Sequence, residues 1–206
     1  MTETVFTIGH SSHDMDYFVG LLKRHSVSVV CDVRSKPYSR RNNQFNSGQL
    51  RNALFGHGIS YIFMGRELGA RSDDSSCYVN GKVEYQRLAE TEPFRTGIQW
   101  IREHICENRI VLMCAEKDPL ECHRTILTSR SLVALGITVH HILENAKLES
   151  HNSAIERLLS RVYKDPETDM FRSRAEMVED AYAIQSARIA FETDEPQELE
   201  IWTQIG

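Results

Sequence analysis

The sequence contains 206 residues, of which 41% are hydrophobic and 26% are charged, a composition typical of a globular protein rather than a disordered or fibrous one. It has no run of about 18 apolar residues, and its first residues lack a basic region followed by an apolar one, so we expect neither a membrane span nor a signal peptide. Five widely spaced cysteines do not make a secreted disulfide framework, and we therefore expect a cytoplasmic protein.

Charge is distributed unevenly along a chain whose net charge is −5. Residues 34–71 hold seven lysines and arginines against one acidic residue, whereas residues 144–206 hold fourteen acidic residues against seven basic ones. A locally basic segment on an acidic protein favours an anionic ligand near that segment. A solvated basic face would give the same pattern, so charge alone leaves both interpretations open.

Short apolar runs rich in β-forming residues alternate with segments in which apolar residues recur at helical spacing. The predicted strands are residues 5–8, 27–31, 59–63, 109–113 and 138–143. The predicted helices are residues 15–24 with Asp14 as N-cap, and then 48–55, 84–88, 94–106, 122–135, 154–163 and 174–190. Residues 65–81 show no periodicity, which predicts a long loop.

This alternation predicts βαβ units, so the expected fold class is α/β, with a mostly parallel sheet flanked by helices on both faces in a Rossmann-like three-layer arrangement. Residues 1–152 form the predicted α/β domain, and residues 153–206 form a helical, acidic C-terminal extension that we expect to pack on the same domain. Ligands of such sheets bind outside the carboxyl ends of the strands. Polar residues follow three of the predicted strands and would meet at that edge: His10 and Ser11, Asp32 and Arg34, and Cys114 and Glu116.

Two interpretations are open for Asp32 and Arg34, which are two positions apart and therefore point to the same side of a strand. They can form a structural ion pair, or Arg34 can clamp an anionic group while Asp32 orients or deprotonates a substrate. Cys114 can be a small buried apolar residue. Burial beside an apolar strand would raise the pKa of Glu116 toward a value useful in acid–base catalysis.

Cys122, His123 and Arg124 lie at the predicted start of a helix, where free backbone N–H groups favour anions and lower the pKa of a thiol. This predicts either a phosphate-binding helix start or a reactive thiolate, unless Cys122 packs inward and the other two residues cap neighbouring loops. A metal site is only weakly indicated, because seven residues separate Cys114 from Cys122. We predict no cofactor and leave a divalent metal open.

The motifs TIGHS (7–11), GISY (58–61), HHIL (140–143) and above all DVRSKPYSR (32–40) and LMCAEKDPLECHR (112–124) resemble the DUF488 family, a group with no agreed function. The resemblance covers most of residues 5–151. It implies a compact α/β fold and a role around nucleotides or nucleic acids. It also implies one shared constellation, formed by His10, Asp32, Arg34, Ser39, Arg40, Glu116, Cys122, His123 and Arg124.

We therefore predict an enzyme that acts on an anionic substrate, a nucleotide or nucleic-acid component, by acid–base hydrolysis or group transfer. Asp32 and Glu116 are the candidate acid and base, His10 and His123 would polarise the substrate or move a proton, and Cys122 is a further catalytic candidate. The expected substrate-binding residues are Ser11, Arg34, Ser39, Arg40, Tyr61 and Arg124.

Three alternatives stay open on the sequence alone. They are a nucleic-acid binding module without catalysis, a thiol-based redox or nucleophilic enzyme that uses Cys114 or Cys122, and a metal-dependent enzyme. The expected partner is an anionic small molecule or a nucleic acid, and not a membrane. The sequence does not indicate an oligomeric state.

Overall fold

The computed structural model describes residues 3–163 and 172–193. The strands are β1 (Thr4–Gly9), β2 (Val29–Asp32), β3 (Ser60–Phe63), β4 (Tyr78–Val79), β5 (Lys82–Val83), β6 (Ile110–Cys114), β7 (Thr138–Ile142) and β8 (Leu148–Ser150). The helices are α1 (Met15–Arg24), α2 (Ser47–Phe55), α3 (Tyr85–Ala89), α4 (Glu92–His104), α5 (Arg130–Ala134), α6 (His151–Val162) and α7 (Arg174–Ile189). Among these described residues, no helix is both long enough and apolar enough to cross a membrane.

Six of the strands form one sheet in the order β3-β2-β6-β1-β7-β8. The first five run parallel to one another, and β8 pairs antiparallel with β7 at the edge. The predicted α/β class is confirmed, and the five predicted strands make up the parallel part of the sheet. Neither β8 nor the antiparallel pair of β4 and β5 was predicted, and that pair lies at the end of the segment predicted to be a loop.

Helices cover the sheet on both sides, which explains why β2 and β6 at its centre are buried along their whole length and do not alternate apolar with polar residues. On one side, called here the α1–α2 face, α1 and α2 pack through residues such as Phe18 and Leu54. On the other side, called the α3–α7 face, the remaining helices pack through residues such as Ile101, Ile126 and Leu158. The three-layer arrangement expected from the sequence is therefore present.

The helix that follows β6 is irregular at its start. The sequence predicts a regular helix from residue 122, but the structure has a π-helix over Arg124–Ser129 that leads directly into α5. The Ser129 hydroxyl donates to the Arg124 carbonyl oxygen at 2.7 Å, five residues earlier in the chain. Such wide turns occur frequently at functional sites, and this one immediately follows Cys122 and His123.

Ion pairs fasten α6 to the loop after β6. Arg157 on α6 donates to the two carboxylate oxygens of Asp118 at 2.9 and 3.0 Å and to those of Glu149 at 2.9 and 2.8 Å. Arg161 adds a bond of 2.6 Å to Asp118. Desolvation alone would raise the pKa of the Asp118 carboxyl, but the hydrogen bonds from the two arginines hold it well below its usual range. Asp118 therefore has a structural role, because it links α6 to the loop after β6.

A chain of four hydrogen-bonded side chains, called here the histidine relay, lies buried between the sheet and the C-terminal helices. Thr7 Oγ1 lies 2.8 Å from His141 Nδ1, His141 Nε2 lies 3.3 Å from His151 Nδ1, and His151 Nε2 lies 2.7 Å from the Tyr182 hydroxyl. Burial lowers the pKa of His151 to about 4 and that of His141 well below its ordinary value. Both rings are therefore neutral near pH 7.

Candidate functional site at the carboxyl edge of the sheet

The connections of two adjacent strands diverge at the carboxyl edge of the sheet. β1 leads to α1 on the α1–α2 face, whereas its neighbour β6 leads to the π-helix on the α3–α7 face. Beyond the strands, the His10 amide donates to the Cys114 carbonyl and the Ser11 amide to the Ala115 carbonyl, both at 2.9 Å. Open α/β sheets bind ligands in the crevice that such a divergence creates.

A cavity of about 420 Å³ opens at this edge. It is lined by His10, Ser11, Ser12, Arg34, Lys36, Tyr38, Ser39, Asn42 and Ala115. These described lining residues include two cations and no acidic residue, and the volume lies within the range of small-molecule sites, about 300–1,000 Å³. The cavity therefore combines the turn after β1 with the basic segment after β2.

Arg34 is held in the cavity wall by four hydrogen bonds from its guanidinium. Its Nε and Nη2 donate to the two oxygens of Asp32 at 2.8 and 2.6 Å, and Nη2 also donates to the Phe45 carbonyl at 2.7 Å. Its Nη1 lies 3.1 Å from His10 Nε2. Because a guanidinium has five N–H donors, one N–H on Nη1 is left for a ligand.

Asp32 is fully buried, and its carboxylate accepts four hydrogen bonds. Besides the two bonds from the guanidinium, the Arg34 backbone amide donates at 3.2 Å and the Tyr61 hydroxyl at 2.8 Å. The structural ion pair, one of the two interpretations from the sequence, is thus present. Tyr61 lies behind this pair and is not among the residues that line the cavity.

His10 is a buried, neutral imidazole. Its Nδ1 lies 2.8 Å from the Ser11 carbonyl oxygen, so Nδ1 carries the proton and Nε2 accepts from Arg34. Its ring stacks on Phe45 with centroids 4.3 Å apart. Burial, reinforced by the positive charge of Arg34, lowers the pKa of His10 to about 4. At neutral pH this ring positions Arg34 and does not carry a charge of its own.

The loop after Arg34 contributes Ser39 to the cavity but not Arg40. The Ser39 hydroxyl accepts the backbone amides of Arg41 and Asn42 at 3.3 and 3.1 Å, which shapes the turn. Arg40 is exposed and lies outside the cavity lining. Lys36 lines the cavity instead. The sequence contained the signal for it, because Lys36 belongs to the DVRSKPYSR motif.

Cys114, Cys122 and His123 form a compact buried group on the α3–α7 face, called here the thiol–imidazole cluster. Their two sulfurs and one ring nitrogen lie within 4.8 Å of one another. His123 Nδ1 is 3.8 Å from Cys114 Sγ and 3.7 Å from Cys122 Sγ. On the other side of the ring, His123 Nε2 lies 3.0 Å from the Val33 carbonyl oxygen. From the sequence, His10, Asp32, Cys114, Glu116, Cys122 and His123 could converge on a metal, but their spacing indicated this only weakly; the structure brings Cys114, Cys122 and His123 together.

The two thiols of the cluster have opposite pKa shifts. Burial raises the pKa of both, but a hydrogen bond from Cys114 and the positive charges of Arg124 and His123 lower the pKa of Cys122 well below its ordinary value. The hydrogen bond to Cys122 and burial raise the pKa of Cys114. Of the two thiols, Cys122 is therefore the one whose deprotonation is favoured. The pKa of His123 is raised because the Cys122 charge outweighs desolvation.

Glu116 lies beside the cluster on the loop after β6. Its carboxyl interacts with both thiols, and its pKa is raised, first by loss of hydration and then by Cys122. Because Glu116 is exposed, the neighbouring Cys122 is the more important of the two causes. This direction agrees with the expectation from the sequence.

Arg124 is only 1% exposed and lies against the loop after β6. Its Nη1 and Nη2 donate to the Glu116 and Lys117 carbonyl oxygens at 2.8 and 3.4 Å, and its Nε has no hydrogen-bond partner among the described residues. Gly9 allows the Glu116 carbonyl to lie against the end of β1, because a Cβ at position 9 would lie 1.8 Å from the Glu116 carbonyl oxygen. Arg124 is not among the residues that line the cavity.

The predicted site residues therefore meet at one edge but lie on two faces. In the sheet, Asp32 pairs with Met113, so Asp32 and Arg34 share the side of Met113 while Cys114 lies on the opposite side. His10 belongs with the first group. The cavity and the thiol–imidazole cluster lie on opposite faces of the sheet, with the strand ends between them.

The family model described as "Domain of unknown function DUF488" matches residues 14–131, which is more than half of the chain. The chain belongs to the DUF488 family. The matched range contains the basic segment and the whole thiol–imidazole cluster, whereas His10, Ser11 and the two relay histidines lie outside it. No curated protein and no solved structure matches this DUF488 chain.

Proposed function

We propose that this protein is an enzyme that binds an anionic substrate, a nucleotide or nucleic-acid component, in the cavity at the carboxyl edge and acts on it by hydrolysis or group transfer. The cavity itself carries the proposal, because a pocket at the divergence point of a parallel sheet contains cationic and hydroxyl groups and no acidic lining residue. This lining suits phosphate oxygens better than a neutral or cationic group.

The charge that would attract the substrate comes from Lys36. Asp32 neutralises Arg34, so Arg34 offers a fixed N–H donor and little net charge. Lys36 is exposed and forms no ion pair within the described residues, and it therefore leaves a positive charge at the cavity. A rigid guanidinium beside a free ammonium group combines orientation with attraction.

Tyr38 supports a nucleotide rather than a simple anion. Its side chain lines the cavity and is 66% exposed, which is unusual for an aromatic ring and leaves a face available for stacking on a base. The hydroxyl of Ser12 and the amide of Asn42 can reach sugar or phosphate oxygens from the same lining.

Glu116 is the candidate acid–base group in this proposal, and Asp32 positions Arg34. The four hydrogen bonds to Asp32 leave its oxygens no role toward a substrate. Glu116 forms no ion pair among the described residues. It is not among the residues that line the cavity, but it is exposed and directly follows Ala115 of the cavity wall, so it would have to reach the substrate from the rim. A carboxylate in this place can activate water or accept a proton.

Binding can be tested by calorimetric titration with inorganic phosphate, pyrophosphate and a series of nucleotides. Lys36→Gln should weaken binding about tenfold, the equivalent of about 1.4 kcal/mol for a charged contact. Lys23→Gln is the matched control, because Lys23 is an exposed lysine at the last turn of α1, at the opposite edge of the sheet. Equal effects of both substitutions, or no binding of any of these anions, would overturn the assignment of the cavity.

Turnover is tested on the ligands that bind, with products separated by chromatography. Glu116→Gln should abolish product formation and retain binding, since the carboxamide cannot exchange a proton. A wild-type protein that binds oligonucleotides with steep salt dependence and never forms a product would instead be a binding module.

A further inference from the structure

We propose that Cys114, Cys122 and His123 form a binding site for a zinc-class divalent cation. Two thiolates and an imidazole are the ligand types that zinc prefers, and they exclude magnesium and calcium, which bind oxygen. The inference does not depend on the substrate proposed above, because the three ligands lie on the other face of the sheet. Glu116 is the residue that both proposals use.

The distances within the cluster match those around a bound zinc ion. A zinc ion about 2.3 Å from sulfur and about 2.0–2.1 Å from nitrogen in tetrahedral geometry places the two ligand atoms about 3.6 Å apart. His123 Nδ1 lies 3.8 and 3.7 Å from the Cys114 and Cys122 sulfurs. The two sulfurs lie within 4.8 Å of each other, compared with about 3.8 Å around a tetrahedral zinc ion. An ion therefore fits between the three atoms after shifts of a few tenths of an ångström at the imidazole and of up to about 1 Å between the sulfurs.

His123 is oriented as a metal ligand. A carbonyl oxygen can only accept a hydrogen bond, so the 3.0 Å contact with Val33 places the proton of the neutral ring on Nε2. The lone pair on Nδ1 then points toward the two sulfurs. Metal-binding histidines usually donate their second ring N–H to a carbonyl or carboxylate in this way, which fixes the ring.

The surroundings of the cluster favour thiolates. The Arg124 backbone amide lies 3.4 Å from Cys122 Sγ and can donate to it. The Arg124 guanidinium is buried, and among the described residues it donates to carbonyl oxygens and forms no ion pair with a carboxylate. Its positive charge beside the cluster favours the deprotonated thiols, and two thiolates would balance the two charges of the ion.

Three protein ligands leave one position of a tetrahedral ion open, as in catalytic zinc sites. Glu116 is exposed and lies two residues after Cys114 on the loop after β6, which makes it a candidate for the open position. It would either complete the ligand set or contact a water bound to the ion. On binding, the thiol protons are released to solvent.

The test is a titration of the reduced, metal-free protein with Co²⁺, whose absorption reports tetrahedral geometry and thiolate ligation. We expect about one ion per chain with sulfur-to-cobalt charge-transfer bands, displaced by Zn²⁺. Cys114→Ser, Cys122→Ser and His123→Gln should each weaken Co²⁺ binding about a hundredfold or more. Cys106→Ser is the control, because Cys106 is an exposed cysteine outside the cluster.

A second measurement uses the wild-type protein alone, in case a substitution prevents folding. Zn²⁺ should slow alkylation of Cys114 and Cys122, measured by peptide mass, and leave the rate at Cys106 unchanged. Absence of Co²⁺ bands and of zinc protection would overturn the metal site. So would a disulfide between Cys114 and Cys122 that forms at the same rate with and without zinc, since the pair would then be a redox couple.

Discussion

Acidification should destabilise this protein through the histidine relay. The pKa of His151 falls from 6.5 to about 4 on folding because the ring is buried, and that of His141 is lowered in the same way. Between these two pKa values the unfolded chain binds more protons than the folded one, so the free energy of unfolding decreases as the pH falls. The stability is complete above about pH 6.5 and is lost progressively down to about pH 4.

The size of the effect follows from the shift at His151. One pKa unit corresponds to about 1.36 kcal/mol, so this residue alone should remove about 2.5 kcal/mol of unfolding free energy between about pH 7.5 and about pH 4.5. His141 adds to the loss, and so does His10, whose pKa is also lowered to about 4. The raised pKa of His123 acts in the opposite direction. For a protein stabilised by about 5–15 kcal/mol, the net loss is large.

Urea unfolding followed by circular dichroism across this pH range measures the effect. His151→Gln should be less stable than wild type at pH 7.5, because the bond to Tyr182 is altered, but its unfolding free energy should depend less steeply on pH, by about 2.5 kcal/mol over the range. His57→Gln, which removes an exposed imidazole, should keep the wild-type profile. Parallel profiles for wild type and His151→Gln would refute the assignment of the relay as neutral and buried.

Three further substitutions, with Gly48→Ala as a control for the first, test the packing at the carboxyl edge by urea unfolding at neutral pH. Gly9→Ala should lower the free energy of unfolding by about 3 kcal/mol or more, because the new Cβ would lie 1.8 Å from the Glu116 carbonyl oxygen. Gly48→Ala, at an open position in a helix, should instead raise the free energy of unfolding by about 0.5–1 kcal/mol. Tyr61→Phe should cost about 1–2 kcal/mol, since it removes a 2.8 Å hydrogen bond to a buried carboxylate. Arg157→Ala should cost about 1 kcal/mol, with a smaller loss at high salt because the ion pairs are partly exposed.

The parallel part of the sheet could be predicted because its strands are short runs rich in apolar and β-forming residues, which is the pattern of strands buried on both faces. Thr7 in β1 and two histidines in β7 interrupt these runs without obscuring them. The parts that were missed are short. β8 has three residues, and β4 and β5 have two each. Segments of that length carry no periodicity, and they pair only because neighbouring elements hold them in place. The π-helix could not be predicted either, because the spacing of its apolar residues also fits a regular α-helix.

The location of the site could be predicted because strand ends carried the polar residues, but its division into two faces could not. That division depends on the register in which Asp32 pairs with Met113, which no single strand reveals. The meeting of Cys114 with Cys122 depends on the turn at Asp118 and Pro119, which returns the chain to the strand end. Local ligand spacing was therefore the wrong guide to the cluster, and three-dimensional proximity was needed.

The hydrogen bond between His123 and Val33 connects the thiol–imidazole cluster on one face to the cavity wall on the other. The Val33 carbonyl belongs to the same peptide plane as the Arg34 amide, which donates to Asp32. One rigid plane thus carries the support of the imidazole on one side and the support of the guanidinium on the other. An occupant of the cluster that turned the imidazole would therefore act on the same peptide unit that supports the guanidinium. If the two sites are coupled in this way, each ligand must change the affinity of the other by the same factor.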